Sequence, residues 1–229
     1  QELFITAKIS FSNALLLIYE SALSDSLYSP TFITIVTILF VSLCIIGFRN
    51  PLLMTVSFTL AVYIGSFLTG LGFIIPMGIA YANQVVALLA LLASIVQFIK
   101  GFNIKLGSLS FTNTRYLMSG SKIKKSIRLL ILFIIGFVSI VTLFSPESRP
   151  YSLGLTILTE LEEYSRSLLL TIYCFLYVMP LLLTSIILHF SHIEENGKGE
   201  NKVTNLNIAE IVKGIFMVFL AFYVIIFYL

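Results

Sequence analysis

Charge is what this sequence has least of. Asp, Glu, Lys and Arg make up only 11% of its 229 residues, against about a quarter in a soluble domain whose surface must stay hydrated. Too little polar surface remains to cover a water-facing globule, which excludes a soluble fold and leaves lipid as the solvent. Cysteine is scarce as well: Cys44 and Cys174 stand far apart and form no CxxC pair, so neither a disulfide framework nor a cysteine-based zinc site is expected. The two histidines, His189 and His192, fall close together at the end of one apolar stretch. A membrane haem with ligands on facing helices is a poor fit to them, and a metal site lacks a third ligand nearby. The net charge of +3 is too small and too dispersed for a nucleic-acid partner. No nucleophile–base–orienter set and no phosphate loop occurs, which leans against an enzyme without deciding it, and no cofactor is expected.

Long apolar runs are what the sequence has instead, 58% of it being hydrophobic. A helix needs about 20 mainly apolar residues to cross a bilayer. Residues 50–99 carry no charge at all, room for two crossings with a turn at Pro76–Asn83. The sequence predicts an all-α integral membrane protein of six spans: 9–48 (broken), 52–75, 80–99, 126–163 (broken), 167–191 and 208–229. Residues 9–24 are read with 31–48 as one interrupted element; an independent crossing by them would move the N-terminus inside. Charge placement fits six. With both termini outside, the inner segments hold Arg49, Lys100, Lys105, Arg115, Lys122, Lys124, Lys125, Arg128, Lys198, Lys202 and Lys213, eleven of the fourteen basic residues, as the positive-inside rule requires. The loop 100–128 is then cytoplasmic and the location is the plasma membrane. An outside N-terminus also fits removal of a signal peptide before Gln1.

One short pattern occurs twice. Leu27-Tyr28-Ser29-Pro30 interrupts the first element and Leu143-Phe144-Ser145-Pro146 the fourth, and two further spans follow each. The chain thus divides into a first three-helix half (1–100), a cytoplasmic linker (101–122) and a second half (123–229). Three is odd, so the halves have opposite orientations, an inverted repeat of the kind found in transporters. Proline removes a backbone donor and breaks the helix, and in lipid the freed carbonyls need a partner or a wet cavity.

The arrangement resembles the CcdA/DsbD family of transmembrane thiol–disulfide carriers, some of which serve cytochrome c biogenesis. The span Phe58–Gly72 is similar to that family's Gly-rich second helix. The stretch from Leu168 to His189, around Pro180, is similar to its aromatic-then-Pro-Leu helix. The two Ser-Pro breaks stand where the family has Pro-Cys. What the resemblance implies is two inverted three-helix halves, with the first helix of each half broken. Thr31 follows Pro30 and Glu147 follows Pro146, so both reactive cysteines are missing. A thiolate is the nucleophile of disulfide exchange, and a member with this sequence is redox-silent.

The candidate substrate- or ion-binding residues are those of the two breaks: Ser29, Pro30, Thr31, Ser145, Pro146 and Glu147, supported by Glu20, Asp25 and Pro180. Asn83, Gln84 and Gln97 are expected to form interhelical hydrogen bonds. The first functional reading is an accessory or structural subunit of a larger membrane complex, with the bilayer and other membrane subunits as partners. A small-solute or ion transporter using the paired breaks is the second. A thiol–disulfide electron carrier, which needs Cys44 and Cys174 to approach each other, is the third.

Overall fold

A computed structural model of the chain describes residues 11–46, 51–79, 81–102, 125–144, 163–197 and 208–228. Among them are seven helices: α1 (Phe11–Tyr28), α2 (Pro30–Ile46), α3 (Pro51–Gly70), α4 (Ala82–Gly101), α5 (Lys125–Leu143), α6 (Glu163–Gly197) and α7 (Ile208–Tyr228). No strand occurs among the described residues. Four helices are long and apolar enough to cross a membrane, over Leu52–Gly70, Ala82–Gly101, Ser126–Leu143 and Ser165–Thr184. The α1–α2 pair, bent by 51° at Ser29, makes five if it is one span. The apolar run of α7, Ile211–Ile226, is shorter. The length and apolarity of these helices are those of a multi-pass membrane protein.

The expected boundaries need several corrections. The span 52–75 stops at Gly70, for a local reason. Gly72 takes a left-handed φ of 81°, so the Phe73 amide reaches back to the Leu68 carbonyl at 3.0 Å and the Gly72 amide to Thr69 at 2.9 Å. This pair of bonds is a Schellman motif, which closes a helix by occupying its last carbonyls. The turn therefore begins at Leu71, before Pro76. The helix that holds the span 167–191 is longer than that span, running from Glu163 to Gly197 with Pro180 inside it, while its membrane-length apolar stretch is Ser165–Thr184. In the fourth element α5 ends at Leu143; residues 145–162, like most of the linker at 103–124, lie outside the described residues.

Proline at the first helical position opens both α2 and α3, where its fixed φ suits the helix and its missing amide hydrogen is not needed. Two apolar clusters share α2. Phe32, Ile35, Leu39 and Leu43 join the larger one with α1, α3, α5 and α6. Phe40 and Val41 join a smaller one with Ala90 of α4 and Met217, Leu220 and Ala221 of α7. Buried Thr34 and Thr37 donate to the carbonyls of Pro30 (3.0 Å) and Ile33 (2.8 Å) one turn back, so the wall between the clusters holds no stranded hydroxyl there.

Glycine sets the closest crossing. A Cβ on Gly136 of α5 would stand 2.7 Å from the backbone oxygen of Phe58 on α3. Small residues at such points let helix backbones approach in lipid, where packing replaces the hydrophobic effect as the force between helices. Contacts advance together along the two helices, from Ser57 Oγ on the Leu129 carbonyl (2.9 Å) to Gly65 against Ile140. So α3 and α5 run parallel. α4 and α7 run antiparallel: Phe98 faces Gly214, while Ala90 clusters with Met217 and Ala221.

Candidate functional site at the helix breaks

At the first break Ser29 alone is non-helical. Its carbonyl accepts from the Ile33 amide at 3.2 Å, and Pro30 passes its carbonyl to Thr34. Thr31 is half-buried and has a bonding partner of its own. Of the second break only the approach is described: α5 ends at Leu143, and the Phe144 amide bonds the Ile140 carbonyl at 3.1 Å. Ser145, Pro146 and Glu147 lie outside the described residues. The next two orphan carbonyls of α5 are taken by an extended strip that precedes α4. Met77 donates its amide to Val141 (2.8 Å) and Ile79 donates to Thr142 (2.9 Å). The Ile140, Val141 and Thr142 carbonyls are thus closed by backbone and need no cavity water.

Tyr177 of α6 joins the two places. Its ring meets Phe32, two residues past Pro30, edge-on at 5.2 Å, and Phe144, one residue before Ser145, edge-on at 6.1 Å. Tyr173, one turn earlier on α6, stacks on Tyr177 at 6.1 Å. Edge-to-face pairs at these separations are favourable beyond the area they bury. All four rings are buried, so the space between the described break residues is filled with aromatic carbon.

One ionisable group enters this packing. The hydroxyl of Tyr173 donates to Oδ2 of Asp25 at 2.7 Å. Tyr173 lies eight residues inside the apolar stretch that starts at Ser165, about 12 Å along the helix. Asp25 is thus held against the apolar stretch of α6. Glu20, on the same helix, is exposed instead. Pro180 lies three residues beyond Tyr177, and its carbonyl accepts from the Thr184 hydroxyl. Of the candidate residues, then, the structure gathers Ser29, Pro30, Thr31 and Asp25 around one end of the aromatic group, and leaves Glu20 outside it.

Sequence reasoning missed Tyr173 and Tyr177, whose four-residue spacing puts them on one face of α6. It also missed two hydroxyls of α3, Thr59 Oγ1 and Ser66 Oγ, buried with no hydrogen bond among the described residues. The expected interhelical bonds of α4 differ too: Gln84 is exposed, and Asn83 Oδ1 and Gln97 Oε1 are buried with no hydrogen-bond partner among the described residues. Neither cysteine is in a disulfide. Cys174 belongs to the larger cluster and Cys44 packs on the smaller. Among the described residues no group of three His, Cys, Asp or Glu side chains could hold a metal ion. No protein family, curated protein or solved structure matches the chain.

Proposed function

We propose that this chain is a redox-silent, CcdA/DsbD-like subunit of a larger membrane complex, a scaffold that keeps the carrier layout and has lost the carrier chemistry. The observation that carries the reading is Tyr177: its ring packs on Phe32, just past the first break, and on Phe144, the last described residue before the second. A site built for exchange needs a thiolate and access for its partner; this one holds buried rings and closed carbonyls.

The pairing of helices supports the inverted halves. Exchanging α1 with α5, α3 with α6 and α4 with α7 turns the α1–α6 contact into the α5–α3 contact, and maps the α3–α6 and α4–α7 contacts onto themselves. Helix directions agree with six alternating spans: α3 and α5, second and fourth, are parallel, and α4 and α7, third and sixth, are antiparallel. In this reading residues 145–162 complete the fourth element, 101–122 link the halves on the cytoplasmic side, and both termini lie outside the plasma membrane.

Mass spectrometry of the chain purified in mild detergent, without and with reductant, tests it. The expected result is a stoichiometric set of membrane subunits that reductant does not change. A lone monomer overturns the reading.

A specific observation favours a second reading, a small-solute or ion transporter: Asp25 held against the apolar stretch of α6, with the buried hydroxyls of Thr59 and Ser66 on α3, which also packs on α6. Uptake into proteoliposomes that Asp25→Asn abolishes would establish it. The thiol–disulfide carrier has no observation in its favour.

A further inference from the structure

The connection between α3 and α4 has no polar side chain. From Leu71 to Ala80 there is no charge, hydroxyl or amide beyond the backbone. Exposure alternates along it. Phe73, Ile75, Met77 and Ile79 are exposed by 75%, 71%, 72% and 48%, while Ile74 and Gly78 are half-buried and Pro76 is buried. Every second side chain thus lies on one side of an extended strip, and that side is a continuous row of large apolar groups, the mark of a surface that meets something other than water.

The hydrogen bonds fix which way the row faces. Met77 and Ile79 donate their amides to the Val141 and Thr142 carbonyls at 2.8 and 2.9 Å. In a continued helix those carbonyls would bond the amides of residues 145 and 146, and residue 146 is a proline, which has none to give. Helix carbonyls point along the axis, so the strip crosses the end of α5 with these amides directed back along it. Side chains of an extended strip stand across its hydrogen-bonding direction. Here they point sideways, inward at Pro76 and outward at Met77. For a helix that crosses a bilayer, sideways and outward is lipid.

Depth follows from the neighbouring helix. α3 and α5 advance together, with Gly65 against Ile140, so the end of α3 at Gly70 is level with the strip on the end of α5. The apolar stretch Leu52–Gly70 has 19 residues, about 28 Å of helix, close to the roughly 30 Å of a hydrocarbon core. The strip therefore lies where acyl chains give way to headgroups. Its backbone suits that level. The amides of Phe73, Met77 and Ile79 are all bonded within the protein, as contact with lipid requires. Exposed Tyr81 follows, an aromatic ring with a polar tip of the kind that marks membrane interfaces.

We propose that the strip 73–79 is an interfacial anchor, with Phe73, Ile75, Met77 and Ile79 laid among the acyl chains just below the headgroups. The anchor fixes the depth at which α5 ends, and with it the depth of the approach to the second break. It rests on the multi-pass architecture alone and stands or falls separately from the subunit reading.

The test uses the full chain, with any subunits that co-purify, reconstituted in phosphatidylcholine vesicles. In a Cys44→Ala, Cys174→Ala background, Ile75→Cys or Met77→Cys carries an environment-sensitive fluorophore. Leu88→Cys, on the exposed face of α4 and further along that span, is the deep reference. Spin labels high on the lipid acyl chain should quench positions 75 and 77 severalfold more than labels near its methyl end, with the order reversed at 88. Aqueous iodide should quench 75 and 77 severalfold less than it quenches free dye. The unmodified chain gives an independent measurement: a phospholipid with a diazirine high on its acyl chain should label the peptide 73–79 on irradiation. If a cysteine variant fails to elute with the parent on size exclusion, that labelling decides alone. Strong iodide quenching without lipid quenching would put the strip in water. Protection from both quenchers, with no lipid label on the parent, would put it under protein, whether a partner, a second copy or another part of this chain. Either result overturns the proposal.

Discussion

Tyr173 and Asp25, 148 residues apart in the chain, meet in a 2.7 Å hydrogen bond that ties α1 to α6 beside the helix break. The donor is fully buried and the acceptor half-buried. Tyr173→Phe keeps the ring stacked on Tyr177 and removes only the hydroxyl. The expected loss is about 1.5 kcal/mol, the low end for a bond to a charged group. In the Asp25→Asn background the same change should cost less, because a neutral acceptor loses less. Denaturant unfolding of the four proteins in detergent measures this, and equal costs in both backgrounds would show that the carboxylate is not what the hydroxyl holds.

Gly136 and Gly214 look alike in sequence and should behave differently. The Cβ of Gly136→Ala meets a backbone oxygen, Phe58 O, at 2.7 Å, whereas that of Gly214→Ala meets the Phe98 ring at 3.1 Å. A ring turns; a helix backbone has to move away. Gly136→Ala is expected to cost about 2 kcal/mol as overpacking. Gly214→Ala should fall within about 0.5 kcal/mol of the parent, since alanine's gain in helix propensity offsets the small ring movement. Unfolding midpoints in detergent mixed with increasing SDS rank the two.

The strip that closes α5 makes a third prediction. Met77→Pro removes the amide that donates to the Val141 carbonyl and leaves that carbonyl without this partner. A loss of about 1–3 kcal/mol follows. In the parent, the amides of Met77 and Ile79 should exchange hydrogen slowly although both side chains are exposed. Fast exchange at both would mean that the strip does not cap the helix in solution.

Helix identity was legible in the sequence wherever composition alone decides it. Uncharged runs and a proline at a helix start mark α2 and α3, and Ser29-Pro30 does break the first element. Boundaries set by one backbone angle were not legible: Gly70 and Gly72 are equivalent as letters, and only the left-handed φ of Gly72 ends α3 five residues early. The candidate site was legible in part. Asp25 stood out as an acid near a break, but its partner is 148 residues away and no local pattern encodes that pairing. Tyr177 gave no sequence signal of its own; its role depends on Phe32 and Phe144 arriving from two other helices.

The absence of Pro-Cys thiols predicts how the remaining cysteines behave. Cys174 is fully buried beside Tyr173 and Tyr177, and Cys44 is half-buried near the end of α2. Disulfide exchange needs a thiolate that a second sulfur can reach, and a thiol packed among apolar side chains offers neither. N-ethylmaleimide added to native membranes should therefore modify Cys44 before Cys174, and Cys174 only once SDS has opened the bundle. Replacing both by alanine should leave the subunits that co-purify unchanged, because nothing in the proposed role uses sulfur. If Cys174 were instead trapped as a mixed disulfide in native membranes, the bundle would have to open around Tyr177 in its working cycle. The filled space between the breaks would then be one state of a moving carrier, and the redox-silent reading would fail.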